Sequence, residues 1–439
     1  MSEIFFEGVR CFHDRQSCPI KPITMLVGEN SSGKTTFLAL NRIAWDIAEG
    51  NLIEDFFNEE PFLLGSYDQI ASFGGARAGR AKSFAIGTEF ELDRRSNGSA
   101  LFSESARLSA RFIPTGLEEW TFECGDFLIL GKQETKTARL DITVKTPRRT
   151  WTDKEMGMAF PFGVGSQLAM LSYFLSSKGL HAAQRSSPEA STILSEAESE
   201  ELRSISAQVS KALGPRPFAF APIRTRPLRT YDLLKDVPKP EGSHVPMVLA
   251  KTFLDKSAAS NKLRSALIAF GKTSGLFKDV EVIRKGRKES DPFQIGIKTT
   301  GPVFNLVDVG YGVSQVLPIL VDAVQAPARS SFLLQQPEVH LHPKAQAELA
   351  SFLTVLAKTQ NKRFVIETHS DYLIDRIRMD IREKKGGIRP EDVGILYFER
   401  SRTGQTVHSL EIDESGNITN APSTYRQFFL EEERRMLGI

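Results

Sequence analysis

Nine residues near the start of the chain, GENSSGKTT (28–36), set four residues between two glycines and follow the second with a lysine and two threonines. That spacing suits a loop that holds phosphates. Gly28 and Gly33 let the backbone wrap closely, so that the amides of Glu29, Asn30, Ser31 and Ser32 point inward. Lys34 then reaches the outer phosphates, the Thr35 hydroxyl ligates magnesium, and Thr36 completes the run. An apolar stretch, ITMLV, precedes the loop and an apolar-periodic one, TTFLALNRIAWDIAEG, overlaps its end. A surface Gly/Ser turn lacks that context, so the segment is expected to bind ATP or GTP.

Three further segments have residue types that fit such a site. In FLLQQPEVHLHP (332–343) an apolar run ends just before proline, where many nucleotide hydrolases carry two acids; here the positions are Gln335 and Gln336. An amide keeps an acceptor oxygen but takes no proton near neutrality. Gln336 is therefore no general base, a loss that typically costs about 10²–10⁴ in rate. Glu338 is the nearest carboxylate, and it either takes over that role or caps the next helix. In DVGYGVSQVLP (308–318), Gly310 and Gly312 allow close approach at a helix start, and Ser314, with Gln315 beside it, offers a polar side chain at the positive end of the helix. In RFVIETHSDYLIDRI (363–377), His369 follows an apolar strand at its carboxyl end, where parallel sheets place ligand groups.

Elements that would position these residues can be read from hydrophobic periodicity. IFFEGVRCF and ITMLV read as strands before the phosphate loop. From Phe84 to Val144 apolar residues alternate with period two and turn signals (SNGS, ECGD, KTPRR) intervene, which predicts an antiparallel sheet. Residues 166–280 are mostly helical in pattern, as in Leu202, Ile205, Val209 and Leu213, or Leu263, Leu267 and Phe270, with a polar break at QRSSPEASTILS. Beyond 302, helical and strand patterns alternate, as expected for a parallel sheet covered by helices. The predicted architecture is thus α/β: an N-terminal lobe (1–165) with the phosphate loop and antiparallel sheet, a largely helical insertion (166–280), and a C-terminal parallel lobe (281–439).

Composition bounds the rest. The 439 residues are 41% hydrophobic and 25% charged with a formal net charge of +2, so no global charge favours nucleic acid or an anionic membrane. The start lacks a signal-peptide pattern and no stretch reads as a membrane span. Cys11, Cys18 and Cys124 fit no disulfide framework or zinc spacing and are expected to be reduced, in a cytoplasmic protein. His340 and His342 have no companion ligands near them in sequence for zinc. Arg216, Arg224, Arg226 and Arg229 lie among aromatics and prolines, where they would contact a nucleic-acid backbone or pair with acids; RKGRK (284–288) and REKKGGIR (382–389) read as solvated loops.

Taken in order, the loop, DVGYGVSQVLP, FLLQQPEVHLHP and the strand ending at His369 resemble the ABC-type ATPases of the SMC-like, RecF-like and OLD-like group. The resemblance covers roughly residues 1–45 and 302–400. It implies an ATP- and magnesium-dependent ATPase head in which the signature segment 308–318 contacts the γ-phosphate held by the opposite subunit, so that a homodimer sandwiches two ATP molecules. It further implies that position 335 holds magnesium, position 336 positions water, and His369 is a switch histidine. Its Gln after the first helix is not obvious, Gln69 being one option. About 270 residues between loop and signature exceed a transporter's compact domain by ordinary size priors, no long heptad run suggests an SMC arm, and only 39 residues follow Arg400, too few for a further nuclease domain. Closest, on these grounds, are the stand-alone bacterial AAA/OLD-like ATPases associated with antiphage defence, which act on a separate effector, a nuclease or toxin. A hydrolysis-poor ATP-bound scaffold and a RecF-like DNA-binding repair ATPase are the alternatives.

Overall fold

The computed structural model describes residues 1–49, 56–75, 79–95, 101–133, 140–146, 150–156, 196–232, 237–254, 258–288, 291–401, 404–425, 427 and 434–437. The chain forms two compact units, each assembled from separated stretches. The first takes Met1–Ile20, Glu29–Arg216 and Phe398–Val407; the second takes Lys21–Gly28, Pro217–Tyr397 and His408–Ile439.

An eight-stranded antiparallel sheet dominates the first unit. Its strands are β1 (Glu3–Glu7), β2 (Gln16–Pro19), β6 (Phe84–Arg95), β7 (Leu101–Ile113), β8 (Gly116–Cys124), β9 (Phe127–Gln133), β10 (Leu140–Lys145) and β11 (Thr150–Met156). They are ordered β11-β10-β9-β8-β7-β6-β1-β2. The expected alternation is realised: Ile86, Phe90, Leu108, Ala110, Trp120 and Phe122 are buried, with Ile86 opposite Ala110 and Phe90 opposite Ala106. ECGD makes the β8–β9 turn, with Gly125 at φ 55°. IFFEGVRCF is shorter as a strand than its pattern suggests. Gly8, at φ +69°, ends β1, and a Cβ there would lie 2.9 Å from the Ser83 carbonyl. The unit also holds helix α1 (Lys34–Glu49), a two-stranded ribbon of β4 (Asn58–Glu59) and β5 (Phe62–Leu63), the short α2 (Tyr67–Ile70) and α3 (Glu196–Leu213). Leu202, Ile205, Val209 and Leu213 form the buried stripe of α3. Phe37 of α1 packs in an aromatic cluster with Phe6, Phe12 and Phe398; each fully buried ring of this kind contributes about 1.5–3 kcal/mol.

A seven-stranded sheet, ordered β12-β16-β17-β3-β18-β19-β20, organises the second unit. Parallel pairing joins β12 (Phe218–Phe220), β16 (Ser331–Gln335), β17 (Arg363–Glu367) and β3 (Ile23–Gly28). The order continues with β18 (Val393–Ser401), β19 (Gly404–Ile412) and β20 (Ile418–Thr419), whose chain ends the sheet. Near-continuous apolar strands such as SFLLQ and RFVIE are what a sheet covered on both faces requires, and Phe332, Leu333, Leu334, Phe364 and Ile366 are fully buried. Helices are α4 (Val245–Leu254), α5 (Ala258–Ser274), α6 (Tyr311–Gln325), α7 (Pro343–Gln360) and α8 (Asp371–Arg382); β13 (Asp279–Arg284), β14 (Phe293–Lys298) and β15 (Val303–Asn305) form a small antiparallel sheet. Local signals set the helix ends: His342 caps α7 with Pro343 in its first turn, Asn361 closes it in the left-handed region, and the Ser370 side chain caps α8 by accepting from the Leu373 N–H.

The α/β reading, with an antiparallel N-terminal sheet and a largely parallel C-terminal one, is what the chain adopts. Within 166–280 the described helices are α3, α4 and α5, but residues 218–220 are a strand of the parallel sheet, Phe218 stacking on Phe332. The polar break at 184–195 and the rest of 157–195 lie outside the described residues. Among the described residues no helix is long and apolar enough to cross a membrane.

Candidate functional site

Three parallel strands end at one rim of the second unit. Leu26, Glu367 and Gln335 stand level across β3, β17 and β16. Past these residues the Gln336 N–H donates to the Glu367 carbonyl (2.8 Å) and the Thr368 N–H to the Leu26 carbonyl (3.2 Å). The chain leaves β3 at Gly28, and the Gln335–Gln336 segment and His369 follow the carboxyl ends of the adjacent β16 and β17, where parallel sheets bind ligands.

Residues of the loop that lie in the first unit are held from behind. Gly33 sits at φ +97°, and a Cβ there would lie 2.5 Å from the Phe12 ring, so glycine is required by packing as well as by backbone conformation. Ser31 adopts φ 61°, and its carbonyl accepts from Gln405 Nε2 (3.1 Å). Glu29, Asn30, Ser31 and Thr35 are exposed. Ser32 is buried, and among the described residues its hydroxyl has no hydrogen-bond partner. Lys34, also buried, donates from Nζ to the Glu29 carbonyl (2.6 Å), which bends the loop over its own lysine. Thr36 is buried, and its hydroxyl accepts from Arg10 Nη1 (3.2 Å). Gln69 is exposed and its Oε1 accepts the Ser66 N–H (2.9 Å), the capping box of α2.

On the rim, Gln336 adopts φ 41° directly after β16, a left-handed conformation that costs a non-glycine residue roughly 1 kcal/mol. This turn carries Glu338 back under the strand ends. Its Oε1 accepts from the Thr368 hydroxyl (2.8 Å) and from the His369 N–H (2.8 Å), while Oε2 is buried with no partner among the described residues. Burial raises the carboxyl above the ordinary 4.5, against the opposing pull of those hydrogen bonds and of Arg224. A carboxylate that is held by one oxygen and unpartnered at the other, with a raised proton affinity, is suited to act as a general base. Glu338 does not cap the next helix; His342 does, its Nδ1 accepting the Lys344 N–H (3.3 Å). The His369 side chain is exposed.

The signature segment divides in two. Gly310 and Tyr311 are exposed at the start of α6. Gly312 packs on the turn after β16, where a Cβ would lie 2.9 Å from the His340 carbonyl. Ser314 and Gln315 turn inward: the Ser314 hydroxyl donates to the Tyr311 carbonyl (2.9 Å), and the Gln315 amide clamps the Arg224 backbone, accepting its N–H (3.0 Å) and donating to its carbonyl (3.4 Å). Arg224 is itself buried, and its Nη2 donates to the Gln335 carbonyl (3.4 Å). Sequence reasoning placed Arg224 only in a basic cluster; nothing in its local pattern marks it as a rim residue.

The other three arginines of that cluster have partners as well. Arg216 forms a two-pronged bond to Asp46 (2.9 Å for both contacts) and reaches Glu59; Arg229 pairs with Asp308, and Arg226 donates to the Tyr311 hydroxyl (3.0 Å). Of the two readings open for the cluster, contact with nucleic acid or pairing with acids, Arg216 and Arg229 take the second.

Magnesium fits only half of its expected ligands. Thr35 is exposed at the head of α1, but Gln335 is buried with its amide Nε2 unpartnered among the described residues. Position 335 itself offers a hard cation no carboxylate, while the buried Glu367 stands level with it on β17.

Residues 220–375, from β12 to α8, match a family described as "AAA domain, putative AbiEii toxin, Type IV TA system". Residues 388–432 match one described as "Protein of unknown function (DUF3696)". No curated protein matches the chain. Among solved structures, the chain is similar to an Smc head bound to the C-winged helix domain of ScpA (12% identity, 94% of this chain and 98% of that one, TM-score 0.45). It is also similar to an Smc head with an extended coiled coil bound to the C-terminal domain of ScpA, from Pyrococcus furiosus (13%, 99% of each chain, TM-score 0.45), and to an SMC head domain from Thermotoga maritima (11%, 94% and 99%, TM-score 0.41). Over residues 220–375 the similarity is to an AAA-type ATPase domain.

Proposed function

We propose that this chain is an ATPase of the ABC type that binds ATP through residues 28–36 and cleaves it slowly, with Glu338 as the base. The observation that carries the reading is Glu338, buried, fixed at Oε1 by Thr368 and the His369 N–H, and without a partner at Oε2 among the described residues. Lys34 and the loop amides bind phosphate charge. Magnesium arriving with the nucleotide would have Thr35 as its ligand from the loop. Glu338 accepts the proton of the attacking water, Gln336 orients that water through its amide, and the His369 imidazole contacts the phosphate that leaves. Two amides in place of acids make this a slow reaction, set by partners more than by intrinsic rate.

Gly310, Gly312 and Tyr311 serve as the surface that meets the nucleotide on a second copy of the chain, giving an ATP-closed homodimer. Differential contacts to ATP and ADP would then shift the population between closed and open forms. A separate effector protein reads that change. The family description, which names a toxin–antitoxin system, supports a setting in bacterial defence. A second reading, an ATP-bound scaffold that hardly turns over, is favoured by Gln335 and Gln336 themselves. DNA repair of the RecF kind has less support, since Arg216 and Arg229 are engaged with acids.

Light scattering with and without ATP tests the reading. A rise to dimer mass on adding ATP, lost in Lys34→Ala with an affinity drop of about a thousandfold, is expected. A mass that ignores ATP while ATP binds would remove the sandwich, and no ATP binding at all would remove the whole proposal.

A further inference from the structure

The Ser31–Ser32 peptide lies in the middle of the phosphate loop, and what holds it comes from far along the chain. Gln405, the second residue of β19, is buried, and its Nε2 donates to the Ser31 carbonyl (3.1 Å). A trans peptide points its carbonyl and its N–H to opposite sides. A donor that fixes the Ser31 carbonyl on one side therefore fixes the Ser32 N–H on the other, and inward-pointing amides are what a phosphate loop works with. Ser31 needs such a hold, since it adopts φ 61°, a left-handed conformation unfavourable for serine.

Gln405 is itself anchored on several sides within the first unit. Its N–H donates to the Cys11 carbonyl (3.0 Å), and the Val407 N–H donates to Gln16 Oε1 (2.9 Å). A Cβ at Gly404 would lie 2.6 Å from His13 Cδ2, so the start of β19 sits tight on the segment between β1 and β2. Phe398 packs on Phe12 and Phe37.

The amide also has a cost that packing does not explain. Gln405 Oε1 is buried with no hydrogen-bond partner among the described residues. Methionine, of similar length, would fill the space without an orphaned acceptor. What only the amide supplies is the Nε2 donor.

We propose that Gln405 is a positioning residue for nucleotide binding, orienting the Ser31–Ser32 peptide so that the Ser32 N–H faces the phosphates. The inference rests on the ATP-site reading above. It gives a residue of β19, which touches no ligand itself, a share in ATP affinity.

Titration of the full chain, isotope-labelled at serine nitrogen, with ATP and with tripolyphosphate, which carries the phosphates alone, tests it. In the parent the Ser32 amide resonance should move on saturation with either ligand. In Gln405→Met, checked for retained thermal stability, both dissociation constants are expected to rise about tenfold, and the Ser32 amide at saturation should move much less than in the parent. Constants within about twofold of the parent's would overturn the proposal. So would weaker binding with an undiminished Ser32 response, which is what a merely structural role gives. If that variant does not fold, Gln405→Glu, of the same shape but with an acceptor toward the Ser31 carbonyl, is read by the same two criteria, with an expected rise of about tenfold or more. A parent chain that binds neither ligand would instead sink the ATP-site reading.

Discussion

The phosphate loop and the end of β16 differ in how they depart from expectation. Every residue type the loop chemistry needs is present at 28–36, and packing reinforces it: Phe12 forbids a side chain at Gly33, and Lys34 lies over Glu29. At 335–338 the residue types depart from the expected pattern, with amides in both acid positions. A buried arginine stands behind the strand, and a glutamate two residues further on is fixed by Thr368 and His369. Binding groups and cleaving groups are thus under separate control.

The largest expected effect on stability sits on the loop side. Arg216→Ala leaves Asp46 of α1 buried without its two-pronged partner, and a broken pair of this kind costs about 3 kcal/mol. Urea unfolding should register that loss, with a parallel drop in ATP affinity because α1 begins at Lys34; the pH profile of turnover should not move. A shift in that profile would mean the two regions are not separable.

On the cleavage side, the carboxyl of Glu338 is raised above 4.5 by burial, so the acid limb of turnover should lie above that pH. Below the limb the rate should fall about tenfold per pH unit. Because the folded state holds this proton more tightly than the unfolded one, the contribution of Glu338 to stability is greatest at low pH and declines as pH rises through and beyond the unfolded value. Glu338→Gln should flatten that decline in a series of melting curves. A limb at or below 4.5 would assign the base elsewhere.

The smallest effect is conformational. Gln336→Gly relieves a left-handed residue and should raise stability by about 1 kcal/mol in urea unfolding. An unchanged or lower stability would indicate that the Gln336 side chain holds the turn.

Much of this arrangement was legible in residue order. Period-two runs gave the antiparallel strands because one face of each is buried, and continuous apolar runs gave β3, β16 and β17 because both faces are. The loop, Glu338 and His369 were visible as local patterns. Arg224 was not, since its role comes from a long-range clamp to Gln315 and a bond to Gln335, and no spacing encodes either. Nor was the strand at 218–220, three residues that pair only because β16 lies beside them. Ser314, Gln315 and Thr36 show the converse: their pattern suggested ligand contact, and their side chains are occupied within the chain. The period of a motif says which residues share a loop, not which way each points.

Single-turnover hydrolysis of ATP by the intact chain and by Glu338→Gln tests the central claim most directly. With ATP binding matched in the two proteins, the variant should cleave about 10²–10⁴-fold more slowly. A variant that cleaves bound ATP as fast as the parent would contradict it.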